Sequence, residues 1–447
     1  MATVTITLTT AGTYTWVSPS DVTSVKVELI GGGGAGGGST VNLNGGGGGA
    51  GGQYEVKQTT VTASTSYTIV VAAAKAGGTG NGSAGNDSTF ASTTVVAKGG
   101  AGGTGNDGAG GTGSTTNGVG DTVYAGGSGA AGVLSTSSGG GGGGADATNG
   151  ATNASGATAG NGVSPAGNGG TGLTAGSDAN GNPGNAAGGG GSGAYRTTTT
   201  SRSGGAGAIG WAKLTFTTSD VALTQYGGVT GSSVSSITQS VIIDNNNSTL
   251  VVFPKAYDGT TASNTDVSSV TFNGVNLTQL QHYAVGDGGH ASQFANVSFY
   301  LYAITGLSAG THNLVVTWAG AAGSPQFGYE VFANSAAAID NSNINEFGSV
   351  STYTGSITTV ANNALVSSGI TFDNQGSVVT SAGQQQIYNT GFDAVSMSKA
   401  AKTPAGSVTH TYTNGTPDYY VIAMVSIAPY VIPSVSSGST LIMMGVG

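Results

Sequence analysis

Residues 99–113, GGAGGTGNDGAGGTG, offer no side chain larger than an Asn or an Asp. Gly99, Gly102, Gly105, Gly108 and Gly111 keep one unbroken phase of three, which matches neither the stripe of a helix nor the alternation of a strand. Glycine loses more backbone freedom on folding than any other residue, and such a tract has almost no apolar surface to offset the loss. Cohesion must then come from main-chain hydrogen bonds between segments that approach closely, each contributing about 1 kcal/mol net. A polyproline-II-type helix has the required form, with about three residues per turn, a rise of about 3.1 Å and N–H and C=O groups left for neighbours. On this reading residues 99–113 make one rod of about 46 Å, with the glycine phase facing its neighbours. Shorter phases at Gly126, Gly129 and Gly132, and at Gly204, Gly207 and Gly210, predict further rods, turned back at STTNG, NGVSPAGN and DANGNP. The product would be a polyglycine-II helix bundle. Collagen needs a long unbroken phase and abundant proline, and this chain of 447 residues has nine prolines.

Strands frame the glycine. Val4, Ile6 and Leu8 alternate in TVTITLTT, and Val25, Val27 and Leu29 in TSVKVELI, with Pro19 and Ser20 as the turn between them. Strand chemistry returns at 54–56 and 67–71, at Phe90, Val95 and Val96, and closes over 211–216. Pairing of the opening and closing strands would tie both ends of the region to one small sheet, giving a glycine-rich domain over residues 1–217.

After Ser219 the composition changes to β-rich runs such as STLVVFPKAY, NVSFYLYAIT and DYYVIAMVSIA, separated by Asn, Asp, Gly and Ser, with no amphipathic helix. Their number and spacing predict an antiparallel β-sandwich over residues 218–430, jelly-roll-like or immunoglobulin-like, followed by an apolar tail at 431–447. The fold class expected is therefore mainly β.

Composition narrows the function. Ten Lys and Arg against 19 Asp and Glu, with no basic cluster, leave nothing to neutralise a row of phosphates, so nucleic acid is not an expected partner. The absence of cysteine removes disulfides, thiolate metal sites and cysteine nucleophiles. No export leader and no apolar run of membrane-spanning length is visible, so no membrane insertion is expected.

The segments GTYTWVSPSDVTSVKVELIGGGGAGGG, GGQYEVKQTTVTASTSYTIVVAA and GGAGAIGWAKLTFTT together resemble the glycine-rich domain of bacteriophage tail-fibre and other virion proteins, also found in some bacterial surface proteins. The resemblance spans about residues 1–217. It extends distantly to the tip adhesins of T-even-type long tail fibres, whose glycine-rich segments form a layered polyglycine-II sandwich with receptor-contacting loops. Those loops are rich in aromatic residues, whereas the loops here offer little beyond Tyr124, Leu134 and Tyr195.

The resemblance implies a non-enzymatic virion subunit, a tail-fibre, adhesin or surface-decoration protein. Its implied partners are itself, as a homo-oligomer such as a trimer, other virion structural proteins, and a host-surface glycan or protein. The location implied is the virion, with an extracellular location as the alternative. That alternative is a bacterial matrix or fibre protein, which would polymerise through its β-sandwich or through the edge of TVTITLTT. Ice binding through Thr-bearing glycine helices is a third reading.

Candidate sites are few. His282 and His290 flank Asp287 in QHYAVGDGGHASQF, with a spacing that matches no defined ligand set. Asp178, Asn180 and Asn182 imitate the start of a calcium loop, but Pro183 holds the sixth position and no Glu the twelfth, so a turn is expected. No catalytic residue, metal or cofactor is predicted. The loop-like piece from Tyr283 to Phe294 holds the aromatic residues expected to be exposed, and Tyr283, His290 and Phe294 are the predicted receptor contacts.

Overall fold

The computed structural model describes residues 2–257, 266–283, 297–372, 378–389 and 393–430, and they are β-structured with no helix among them. The first half carries β1 (Ala2–Leu8), β2 (Gly12–Val17), β3 (Ser24–Ile30), β4 (Tyr54–Thr60), β5 (Ser66–Val71), β6 (Ser88–Phe90), β7 (Val95–Ala97), β8 (Thr122–Tyr124) and β9 (Trp211–Thr218). They pair as two antiparallel sheets, in the orders β1-β9-β3-β4-β8 and β2-β5-β6-β7. Ala2 lies opposite Thr218 and Leu8 opposite Ala212, so the opening and closing strands do tie the ends together. Alternation turns Val4, Ile6, Leu214 and Phe216 of one sheet toward Trp16, Ile69, Val71 and Phe90 of the other. The Trp16 ring lies 5.2 Å from Phe216 and 5.8 Å from Tyr67.

Glycine segments issue from the strand ends of this small sandwich. After β3, the N–H groups of Gly31, Gly34 and Gly37 donate to the carbonyls of Gln53, Ala50 and Gly47. Those of Gly32, Ala35 and Gly38 donate to Asn86, Ser83 and Gly80, and those of Gly33, Gly36 and Ser39 to Ala208, Gly205 and Arg202. Each phase of three addresses a different neighbour. Segment 45–53 repeats the arrangement, donating to 188–194, 98–104 and 127–130 and accepting from 31–37, 107–111 and 139–145.

Segments 31–38, 45–52, 139–145 and 188–194 are buried along their whole length. A Cβ at Gly36 would lie 1.9 Å from the Ser192 carbonyl oxygen, and one at Gly48 1.9 Å from that of Gly140. Such contact explains why these segments read GGGGAGGG, GGGGGAGG, GGGGGGA and GGGGSGA. Outer segments keep one phase open. In 98–104, Gly99 and Gly102 abut Gly85 and Gly82, Gly100 and Gly103 abut Ala50 and Gly47, and Thr104 is exposed. Period-three glycine thus marks one closely approached neighbour: Gly126, Gly129 and Gly132 meet the carbonyls of Gly51, Gly48 and Gly45 in turn.

The single rod expected over 99–113 is corrected by the structure. The tract reverses at Asn106 and Asp107, whose φ angles are 51° and 58°, and the Thr104 N–H donates to the Ala109 carbonyl at 2.9 Å. Asn and Asp accept this left-handed backbone more readily than other side-chain-bearing residues. Their carboxamide and carboxylate oxygens then bond the Thr40 N–H at 2.8 Å and the Gly45 N–H at 3.1 Å.

The second half carries β10 (Ala222–Thr230), β11 (Val234–Ile243), β12 (Ser248–Tyr257), β13 (Val267–Phe272), β14 (Val275–Asn276), β15 (Thr278–Tyr283), β16 (Val297–Leu307) and β17 (Gly310–Ala322). It continues with β18 (Gln326–Ala333), β19 (Asn341–Thr358), β20 (Leu365–Phe372), β21 (Val379–Thr380), β22 (Gln384–Asn389), β23 (Asp393–Ser398) and β24 (Ser407–Ile427). The antiparallel pairing and a sandwich-like stacking are as expected, and the stack has three sheets where a jelly roll or an immunoglobulin fold has two. The central sheet, β10-β18-β12-β16-β15, has two partners. Leu250, Val252, Tyr302 and Tyr329 face Val241, Leu314, Val316 and Trp318 of sheet β11-β17-β13-β14. Val251, Phe253, Phe299 and Leu301 face Val395, Val421, Ala423 and Val425 of sheet β19-β24-β20-β23-β22. β12 and β18 are buried on both faces, and such strands need cover on both sides.

The third sheet covers its own outer face. β19 and β24 pair along their length, with register shifts between Phe347 and Thr352. Beyond them the ladder folds back, packing Tyr353, Ile357 and Tyr412 on Ile370, Ile422 and Met424. Gly355 permits the crossing, since a Cβ there would lie 2.7 Å from an Ile422 methyl.

The two halves meet at β1. One edge of β1 pairs with β9; on the other, the Asn245 amide accepts from the Thr5 N–H and donates to the Thr5 carbonyl, both at 2.8 Å. The Asp244 carboxylate accepts from the Thr7 N–H at 2.9 Å. Across the junction, the Gln385 amide donates to the Thr15 carbonyl at 2.8 Å.

Candidate functional site

Of the predicted contacts, Tyr283 ends β15 and is 5% exposed, in the apolar layer between the central and third sheets. The exposure expected for it is corrected, because alternation along β15 turns its ring inward. His290 and Phe294 lie outside the described residues. Tyr124 and Tyr195 do not act as loop aromatics either. Tyr124 stacks on Tyr54 within the first sheet at 6.2 Å, and Tyr195 is fully buried at the end of segment 188–194.

Three remaining histidines serve the sheets. His282 stacks on Tyr300 at 5.9 Å and His312 sets its edge on Phe272 at 5.4 Å. His410, 1% exposed, shares hydrogen bonds with the Ser368 hydroxyl at 2.5 Å through Nδ1 and the Ser398 hydroxyl at 2.9 Å through Nε2. Burial holds its pKa down at about 4, so it is neutral in a sealed network that runs on through Tyr412 to Ser396. Asp178, Asn180 and Asn182 are spent on the protein. Asp178 takes a forked pair of bonds from Arg202 and accepts from the Thr197 N–H and the Thr198 hydroxyl, which hold its pKa well below the usual range. Asn180 accepts from the Ser203 N–H, and Asn182 donates to the Thr171 carbonyl. Among the described residues no group of three or more His, Cys, Asp or Glu gathers as a metal site.

What the fold gathers on the outside is a cluster of turns. Turns 40–44, 133–137 and 195–202 lie at the far ends of buried or adjoining glycine segments, about 25 Å of extended chain from the sandwich. The Leu43 N–H donates to the Arg196 carbonyl and the Ser135 N–H to the Leu43 carbonyl, both at 2.8 Å. Leu43 and Ser135 each hold φ at 57°. Val41, Leu43, Val133 and Leu134 stand 50%, 44%, 46% and 58% exposed on these turns. Four exposed apolar side chains thus stand on turns that are bonded to one another at the end of the glycine array. Their signal in the sequence is faint: isolated apolar residues between glycine runs, in TVNLN and GVLSTSS.

Residues 9–217 match a family described as a glycine-rich domain. Among solved structures, the chain has some likeness to the major capsid protein P2 of bacteriophage PM2. The identity is 10%, the coverage is 47% of this chain and 99% of that one, and the TM-score of 0.17 is too low to carry an argument. No curated protein matches the sequence.

Proposed function

We propose that the chain is a non-enzymatic structural subunit of a bacteriophage particle, of the tail-fibre, adhesin or surface-decoration kind, in which a stiff glycine array holds an apolar turn cluster away from a stacked β body. The reading takes the glycine segments as polyglycine-II helices. The observation that carries it is the bonding of 31–39, whose three residue phases reach three neighbours in turn. A bundle bonded in this way resists bending because every segment is tied on several sides. The match over residues 9–217 supports the domain type. The attachment role, the host glycan or protein partner, and oligomerisation as a trimer rest on the resemblance to phage tail-fibre proteins.

In its edge-strand form the matrix-protein reading needs the edge of β1 to receive another subunit's strand. The Asp244 and Asn245 side chains already occupy that edge, which weighs against that form. Gold-labelled antibody against the purified protein should decorate virus-like particles from the source culture, and antibody against a peptide spanning 130–137 should block their adsorption. Label confined to an extracellular matrix would overturn the reading.

A further inference from the structure

The junction of the two halves encloses a cleft of about 280 Å³, walled by the end of β1, Tyr14 of β2, and strands β10, β11, β17 and β18. Three of its twelve lining residues are tyrosines, Tyr14, Tyr226 and Tyr329, where the whole chain has 17 among 447, and none of the twelve is charged. The rest are mainly hydroxyl and amide side chains. We propose that this cleft binds a single neutral sugar ring of a glycan, with the tyrosine faces as its platform and the two glutamines as its polar contacts.

The aromatic part is constructed rather than incidental. The Tyr14 and Tyr226 rings meet at 67° with centroids 6.2 Å apart, so they form a corner. The Tyr14 hydroxyl donates to the Thr10 carbonyl at 2.8 Å, which fixes that ring. Tyr329 makes the floor at 5% exposure, and its ring lies over β10 at Gly227, where a Cβ would come within 2.9 Å of it. Glycine at this strand position makes room for the ring.

The polar part suits a vicinal diol. Gln225 spends its Oε1 on the Ile242 N–H at 2.8 Å, which leaves the amide NH2 as a donor. Gln239 spends its Nε2 on the Ser240 carbonyl at 2.8 Å, which leaves Oε1 as an acceptor. Sugar hydroxyls need one of each, and Thr311 at the exposed rim adds a group that can do either. An anionic sugar would bring a charge with no cation among the lining residues to receive it. The volume lies near the lower end of small-ligand pockets, about 300 Å³, which fits one ring better than an extended chain.

The test uses the intact protein with glucose, galactose and mannose as probes and glucuronate as the charged control, followed by saturation-transfer NMR. At least one neutral hexose is expected to bind with a Kd on the order of 1–10 mM, as suits a ligand of this size. Tyr14→Ala should abolish the transfer. Gln239→Ala, which alters only a rim side chain, should weaken binding about tenfold with unchanged far-UV circular dichroism. Failure of all three hexoses, equal binding of glucuronate, or binding unaffected by Gln239→Ala would overturn the proposal. The measurement needs no particle, so its failure is distinct from failure of the virion reading.

Discussion

The glycine array and the stacked sheets solve the same problem with opposite means. In the sheets, side chains carry the cohesion: Phe253, Phe299, Val421 and their neighbours lose water, and main-chain bonds align them. In the array there are almost no side chains to bury, and main-chain bonds are what remains. Segment 45–53 is bonded to six neighbours, a number no strand reaches in a sheet. A sheet position therefore tolerates a change of side chain if volume and polarity are kept. An interior glycine whose Cβ would meet a neighbour's backbone tolerates no side chain, and only the few positions that leave room, such as Ala35, Ala50 and Ser192, carry a small one.

The comparison breaks most directly with an alanine scan of glycines. Gly48→Ala puts a methyl 1.9 Å from the Gly140 carbonyl oxygen, and only backbone can yield. It should cost more than about 3 kcal/mol, or prevent folding. Gly78 has nothing within 4 Å of the same methyl, so Gly78→Ala should be neutral or stabilise by about 0.5 kcal/mol through the unfolded chain. Thermal melts of both variants check this; equal melting temperatures would show that close approach does not hold the array.

That contrast also explains what the sequence disclosed. The glycine phases reported contacts legibly, since Gly126, Gly129 and Gly132 face one neighbour, and so did the alternation of Val4, Ile6 and Leu8. The path of the chain through the array was hidden, because which segment lies beside which depends on turns as small as Asn106 and Asp107. The third sheet was hidden for a related reason. A run such as STLVVFPKAY announces a strand buried on both faces but not what covers each. Among the sites, the aromatic residues most visible in sequence, Tyr283 and Tyr195, proved to be interior, while the exposed Leu134 and Val41 carry no pattern at all.

A smaller effect separates the halves by pH. His410 has a folded pKa of about 4, below its unfolded value, so it supports stability above about pH 6.5 and that support is lost as pH falls toward 4. Glu330, fully buried and bonded to the Ser367 hydroxyl, is pushed up to about 8 by burial, so its contribution is present below about pH 4.5 and lost as pH rises through 8. The two slopes oppose each other between about pH 4.5 and 6.5. Glu330→Gln should unmask the histidine: amide exchange in β20 and β24 should then quicken as pH drops through that window, by up to about 3 kcal/mol of lost protection after correction for intrinsic rates. The interior glycine segments, with no titrating side chain, should not follow. Glu55 beneath the turn at Gly118 and Gly120, also pushed up to about 8 by burial, gives the first half a response of the same sign as Glu330, present below about pH 4.5 and lost as pH rises through 8.

The smallest effect concerns the seam between the two modes of cohesion. Asn245 imitates a strand, giving Thr5 both the acceptor and the donor that a neighbouring backbone would supply, and Asp244 does half as much for Thr7. Removing the Asn245 amide should cost only about 1–2 kcal/mol, because the released groups sit partly in water. The larger consequence is the edge itself: an unpaired strand with alternating Val4, Ile6 and Leu8 behind it is a template for another chain. The double variant Asp244→Ala, Asn245→Ala should keep its fold yet sediment as dimers or larger species at concentrations where the parent's size distribution is unchanged. If it sediments as the parent does, the two side chains orient the halves without guarding the edge, and the argument they supply against strand-by-strand polymerisation loses its force.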